Sequence, residues 1–355
     1  MPAYINQLMK RFLLYLVLVL AVVFVADRAL ALVYDALYRR TMIGQTGGKI
    51  NQYLSLPTQP ALVVMGNSRA YYQVIPDSFA VPTYNLCHAG MSQVFQTALL
   101  NVISTADRLP TTILLHLDPP EYTNPAEQLT DVQNLKHYYG RDTTVTRLTN
   151  QLGIVQPFAW LAPLVDSATA AFSAERPKYL FGTYRYNGRV INLVKNAAQS
   201  ARTPYASLGN GYEAILPSDR DSLTTIYTAR RDTADPTARF HPERLRFLRQ
   251  FLRVCRDRRI RVIGFTSPLY AAPPHEAAAC RAFGQFLRAE GVPYIDYVSH
   301  PLAAVQGRPS LWKDSHHLNH VGAQMQSHDL ARRVAHLLAA PAMSAPPAPA
   351  PLADR

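Results

Sequence analysis

Cysteine is scarce in this chain. Cys87, Cys255 and Cys280 are its whole complement, too few for a disulfide framework and spaced like no zinc motif. One pair can still bridge in an oxidising compartment, and three buried thiols is the plainer alternative. Charged residues are also few, at 17% against 48% hydrophobic residues. That balance excludes a disordered chain and calls for a sizeable core, in one large domain or two ordinary ones. There is no Walker loop, and no G-x-G-x-x-G follows the first candidate strand, which excludes the usual nucleotide folds. No zinc finger or RNP-like aromatic signature is present, so nucleic acid is not expected as a partner despite a net charge of +12. Internal repeats are absent too.

What is present begins with arginine. Eight arginines fall between Arg244 and Arg261, beside Leu245, Leu248, Leu252 and Cys255 at helical spacing, which predicts an amphipathic helix with a basic outer face. A solvated face is the ordinary reading of such a pattern. Attraction to anionic lipid heads or acidic polysaccharide is the sharper one.

At the N-terminus, Lys10 and Arg11 precede an apolar run from Phe12 to Ala26. That run is shorter than the roughly 20 residues that cross a bilayer. Apolar character resumes at Ala29–Tyr34, so a span from about Arg11 to about Val33 is expected, with Asp27 and Arg28 snorkelling to the far interface. A cleaved signal peptide, with Ala29-Leu30-Ala31 as its processing site, competes with this reading. A buried core helix is the third possibility. Residues 1–40 therefore read as a membrane anchor or signal segment. Both leading readings put the body on the extracytoplasmic side of the cell membrane, as a single-pass protein if uncleaved.

Behind it, compact apolar runs at Ala61–Met65, Thr83–Cys87, Thr111–Leu117, Arg261–Phe265 and Pro293–Tyr297 predict buried strands. Helical patterns lie at Ser92–Ala106, Pro242–Arg258, His275–Glu290 and Val321–Leu338. This alternation predicts an α/β fold, a parallel sheet covered on both faces. Residues 56–340 form the expected domain, interrupted by a Tyr-, Asn-, Thr- and Arg-rich insertion over about 123–236. A Pro/Ala-rich tail, 341–355, is expected to be disordered.

The first strand runs into Gly66-Asn67-Ser68-Arg69-Ala70. A serine just past a parallel strand stands at the carboxyl edge of the sheet, where such folds build their sites. If a helix begins there, its N–H groups favour developing negative charge; alternatively Ser68 or Asn67 only caps that helix. The segment is not the G-x-S-x-G elbow, since position 70 is Ala. Near the other end, Asp314 and His317 are three apart in Asp314-Ser315-His316-His317-Leu318-Asn319-His320-Val321-Gly322-Ala323. Serine needs a base, and an imidazole base needs a carboxylate to fix its tautomer. His316, His320 and Asp314 offer a metal-site alternative. The plain alternative makes Asp314 a helix cap and the histidines surface residues.

Strand–Gly-Asn-Ser near the start with Asp-x-x-His-Leu-Asn-x-x-Gly-Ala near the end resembles the SGNH (GDSL-like) hydrolase superfamily. More closely, it is similar to the membrane-anchored branch associated with acylation of surface polymers, which includes alginate-acetylation and teichoic-acid D-alanylation proteins. The likeness covers about 61–120 and 261–338. It implies an SGNH/flavodoxin-like three-layer sandwich, with Ser68 as nucleophile, His317 as general base and Asp314 orienting it. It also implies an oxyanion hole from the N–H groups of Ser68 and Gly90. The family's third donor, the asparagine of Gly-x-Asn-Asp, is missing: Leu117-Asp118-Pro119-Pro120-Glu121-Tyr122 stands there, with Asn124 the nearest substitute. A carboxylate at Asp118 would repel an oxyanion unless protonated or turned away. The usual Asp before the serine is replaced by Asn67.

The expected activity is serine-dependent acyl-ester chemistry, esterase or O-acyltransferase, without cofactor or metal. Its expected partner is an acylated carbohydrate or surface polymer, with a membrane-bound acyltransferase as a possible companion. The alternative is a non-catalytic component of a surface-polymer assembly that keeps the fold.

Overall fold

A strand covered on both faces has no solvent side to alternate with, and the uninterrupted apolar runs of this chain behave accordingly. The computed structural model describes residues 2–123, 129–152, 154–155, 172–173, 176–204, 208–217 and 240–339. In it, β1 (Leu62–Met65), β2 (Thr83–Asn85), β3 (Thr112–His116), β4 (Arg261–Thr266) and β5 (Tyr294–Asp296) form one parallel sheet, ordered β2-β1-β3-β4-β5. Val63 stands opposite Tyr84 on one side and Ile113 on the other, and Ile113 opposite Val262. This is the flavodoxin-like doubly wound order, in which the chain reverses direction across the sheet between β1 and β3. Most strand ends fall at or one or two residues inside the predicted bounds, and β4 runs one residue beyond, where Thr266 still pairs with Asp296.

The helices in chain order are α1 (Pro2–Arg40), α2 (Lys49–Ser55), α3 (Ser68–Gln73), α4 (Gln93–Thr105), α5 (Thr143–Leu152), α6 (Val190–Ser200), α7 (Pro242–Asp257), α8 (Pro274–Ala289) and α9 (His320–Ala339). The chain divides into two compact units. One joins Met1–Gln52 to Val132–Ser207; the other joins Tyr53–Asp131 to Leu208–Arg355. Residues 123–236, expected as one insertion, are shared between them. The expected tail, 341–355, lies outside the described residues.

The second unit holds the sheet. Leu62, Val64, Leu114, Ile263 and Phe265 pack against Tyr71 of α3 and Leu330 and Val334 of α9, each fully buried aliphatic side chain contributing about 1.5–3 kcal/mol. The pleat turns Val63, Met65, Ile113 and Leu115 the other way, and they are equally buried. On α4, Thr97 Oγ1 donates to the Phe247 carbonyl of α7 at 3.1 Å. Helix α7 buries Leu245, Leu248, Leu252 and Cys255 as its spacing predicts, and Arg246, Arg249, Arg253 and Arg256 are exposed. Part of that basic face is already spent, because Arg249 and Arg256 both reach Glu290 at the end of α8, at 3.0 and 2.9 Å. All three cysteines are buried, and none forms a disulfide.

In the first unit, the apolar side chains of α1 from Tyr4 to Val25 are exposed, whereas Asp27, Ala31, Asp35 and Tyr38 are buried. The helix runs on past the expected Val33 to Arg40, and the expectation for Asp27 is corrected. Asp27 does not snorkel: its carboxylate accepts from the N–H groups of Gly182 and Thr183 at 2.7 and 3.1 Å and from Thr183 Oγ1 at 2.6 Å. Further along, Asp35 pairs with Arg141 and accepts from Tyr186 Oη. The tyrosines that make the middle of the sequence look polar largely build this unit's interior. Tyr38 and Tyr186 pack with Leu193, and Tyr139 stacks on Tyr179 at 3.7 Å.

Candidate active site

Strand β1 ends at Met65, and Gly66 then turns the chain at φ +153°. A Cβ there would stand 2.5 Å from the Cβ of His116 on the neighbouring strand, so only glycine lets β1 and β3 run this close and still turn. Asn67 caps α3, its Oδ1 accepting the Arg69 N–H at 3.1 Å. The capping alternative is therefore true of Asn67. Ser68 is the first residue of α3, and its Oγ meets a different partner.

That partner comes from the segment entering α9. His317 Nε2 lies 2.9 Å from Ser68 Oγ across 249 positions of sequence. On the other side of the ring, Nδ1 lies 3.0 and 2.9 Å from the two carboxylate oxygens of Asp314. Asp314 also accepts the N–H groups of His316 and His317, both at 2.8 Å. Burial works to raise its pKa, but the bonds from His317 and from these backbone groups outweigh it and hold the carboxyl down at about 2. It stays ionised wherever an imidazole titrates, which keeps the His317 proton on Nδ1 and leaves Nε2 as the acceptor facing serine.

The rest of the motif is scaffold. Leu318 packs with Val305, Leu311 and Trp312. Asn319 donates to the Ser310 carbonyl at 2.7 Å and accepts the Gly322 N–H at 3.2 Å. At Gly322 a Cβ would press on the Leu311 carbonyl oxygen at 2.5 Å. Gln73 donates to the His316 carbonyl at 2.6 Å, and the ring of Tyr72 stands edge-on to His317 at 5.9 Å. His316 turns to Ser315 Oγ at 2.7 Å, and His320 bonds the Tyr212 hydroxyl at 2.9 Å. Among the described residues no group of three or more His, Cys, Asp or Glu gathers as a metal site, so the metal alternative lacks a donor set there.

Gly90 lies in the turn after β2, with φ +73° and open space where a side chain would be. The same turn is tied to the Ser68 segment, since the His88 N–H donates to the Gly66 carbonyl at 2.9 Å. Asn124 lies outside the described residues. Asp118, at the end of β3, has its negative charge answered locally. One oxygen pairs with Arg69, which is buried, and the other accepts from Asn67 Nδ2 at 2.7 Å. Burial would raise the Asp118 pKa; Arg69, His116 and Asn67 instead hold it below the usual carboxylate range. The carboxylate is thus neither protonated nor bare. The same Arg69 guanidinium donates to the Ser267 carbonyl after β4, so one side chain ties together the ends of three adjacent strands. No spacing rule points to it.

His116 is the other group that sequence reasoning passed over. Its ring packs on Phe265 at 5.1 Å, and its Nε2 accepts the Ser267 N–H at 3.3 Å. Burial is the main cause lowering its pKa to about 3. The unfolded chain, with an imidazole near 6.5, binds a proton that the native state refuses. Stability contributed by neutral His116 is therefore complete above pH 6.5 and is lost as pH falls from there toward 3. Between pH 6.5 and 5 the native protein should lose up to about 2 kcal/mol more than a His116→Gln variant. Denaturant unfolding at both pH values checks this, and equal losses in the two proteins would disprove it.

The fold and this geometry define a doubly wound α/β protein with a Ser-His-Asp constellation at the carboxyl edge of its sheet, beside the switch point between β1 and β3. No family model matches the chain, and no curated protein matches it. A solved structure from Bacteroides fragilis, provisionally described as an acylhydrolase, aligns with 81% of this chain and 95% of its own at 12% identity and a TM-score of 0.38. A likeness that distant assigns no activity.

Proposed function

We propose that this protein is a membrane-anchored serine esterase or O-acyltransferase of the SGNH type, acting outside the cytoplasm on an acylated surface carbohydrate or similar polymer. The observation that carries the reading is the unbroken Ser68–His317–Asp314 chain of contacts at 2.9 to 3.0 Å. Ser68 Oγ attacks the acyl carbonyl carbon while its proton passes to His317 Nε2, and the imidazolium so formed is stabilised by Asp314. Collapse of the tetrahedral intermediate breaks the ester bond, and the departing alkoxide takes the proton from His317. In the second half a water or sugar hydroxyl gives its proton to His317 and attacks the acyl-serine carbonyl; the bond to Ser68 Oγ breaks and Oγ takes that proton back from His317. Water makes the protein an esterase and a sugar hydroxyl makes it a transferase. Gly90 and Ser68 supply the backbone N–H groups for the oxyanion. Helix α1, long and apolar enough to cross a membrane, is the anchor, entered from the Lys10–Arg11 side. The packing of Asp27 and Ala31 favours an anchor that is kept over one that is cleaved. A membrane-bound acyl donor protein is the companion this arrangement suits.

A second reading has its own observation. Asp118, an ionised carboxylate that accepts from Asn67 Nδ2, can only accept, so the place of the third oxyanion donor holds none, and an SGNH-fold binding component needs none. A fluorophosphonate probe separates the two. The intact chain in detergent should incorporate one phosphonyl group per molecule, located on Ser68 by peptide mass spectrometry. No incorporation into the folded protein would leave the binding component as the better reading.

A further inference from the structure

The anchor meets the first unit at a belt of exposed apolar side chains. Leu30, Leu32 and Val33 of α1 are 44%, 67% and 54% exposed, Leu180 and Phe181 are 66% and 49%, and Ile191 of α6 is 83%. Three chain segments contribute to this belt, and they stand at one level. Arg28 Nη2 donates to the Leu180 carbonyl. Phe181 lines the same hollow as Leu30, Tyr34 and Val190, and Val190, which packs near Tyr34, precedes Ile191. The hidden side of α6 is already accounted for, since Leu193, Ala197 and Ser200 are its buried residues.

The level is set by the anchor. The belt starts directly after the exposed apolar stretch of α1 that ends at Val25, so anything surrounding that stretch reaches the belt next. Charge points to the same occupant. From 176 to 204 there are six Lys and Arg and no Asp or Glu, and Arg176, Lys178 and Lys195 are exposed. Apolar side chains at one level with lysine and arginine around them match the boundary between acyl chains and phosphate headgroups.

We infer that the first unit is itself seated in the membrane interface, with Leu30, Leu32, Val33, Leu180, Phe181 and Ile191 dipping into the bilayer. The seat rests on the reading of α1 as a membrane anchor and extends it. The anchor ends in a collar that fixes the depth of the unit, and a flexible tether would not do so. Side chains in such a collar sit roughly 5–10 Å below the headgroups.

Nitroxide labels test it on the full chain, reconstituted at low protein-to-lipid ratio in phosphatidylcholine–phosphatidylglycerol vesicles. Labels at Leu180→Cys and Ile191→Cys are compared with Val17→Cys in the anchor and Arg281→Cys on α8. The collar predicts that labels at 180 and 191 collide with oxygen in preference to a water-soluble nickel chelate, as the Val17 label does, while the Arg281 label does the reverse. Labels at 180 and 191 behaving like Arg281 while Val17 remains lipid-exposed would overturn the collar and leave the anchor standing. A water-exposed Val17 label would overturn the anchor and the collar together. Labels shielded from both reagents would mean that protein covers the belt, and would also overturn the proposal.

Discussion

Ser68→Ala is expected to abolish acyl turnover and fluorophosphonate labelling together, with a loss of turnover of at least about 10³-fold. The geometry makes this the largest single effect on activity. His317 Nε2 has Ser68 Oγ as its partner at 2.9 Å, and a base aligned with one hydroxyl has nothing to activate when that hydroxyl is gone. The substitution should leave the fold intact, because the cap of α3 is made by Asn67 and not by Ser68. A circular-dichroism melt unchanged beside a lost activity is the expected pair of results. Turnover within tenfold of the native protein would remove Ser68 from the chemistry, whatever its distance from His317.

The largest expected effect on stability belongs to Arg69→Ala. The change leaves the largely enclosed Asp118 carboxylate, 15% exposed against 6% for Arg69, with Asn67 alone and strips the Ser267 carbonyl of its guanidinium donor. Breaking one side of a buried pair costs about 3–5 kcal/mol, which in a domain of this size lowers the thermal midpoint by about 6–15 °C. Fluorescence of the buried Trp312 reports the transition in a Trp160→Phe background. The double variant Arg69→Met, Asp118→Leu should recover part of the loss, because both charges go and neither is stranded. A single variant within about 1 kcal/mol of the native protein would show that water, and not Arg69, satisfies Asp118.

The contrast between these residues explains what could be read in advance. Asp314 and His317 are three apart, so one turn of chain decides their contact, and Leu318, Asn319 and Gly322 leave fixed local marks. Strand β1 is four apolar residues ended by glycine, and that pattern has few other uses in a buried sheet. Arg69 and Asp118 are separated by 49 positions and Asp27 and Gly182 by 155. Their partnerships arise only once strands and helices pack, and no periodicity encodes them. Asp118 therefore read as a liability near an oxyanion when its charge is in fact answered. Asp27 read as an interruption of an apolar run, when it is the acceptor that ties α1 to Gly182 and Thr183.

The grip on Asp27 also decides where the molecule can be cut. A natural place to begin a water-soluble version is the glycine-rich stretch near residue 45, past the last apolar turn. A chain starting there lacks the Asp27 contacts to Gly182 and Thr183, the Asp35 contacts to Arg141 and Tyr186, and the Tyr38 ring. Those partners would leave with α1, and the remainder would expose Tyr186 and Leu193, which pack against Tyr38, and precipitate. A trimmed protein meant for crystallisation or assay should retain everything from Asp27 onward and carry polar replacements at Leu30, Leu32 and Val33. Its solubility would then depend on side chains facing outward and not on a truncated core.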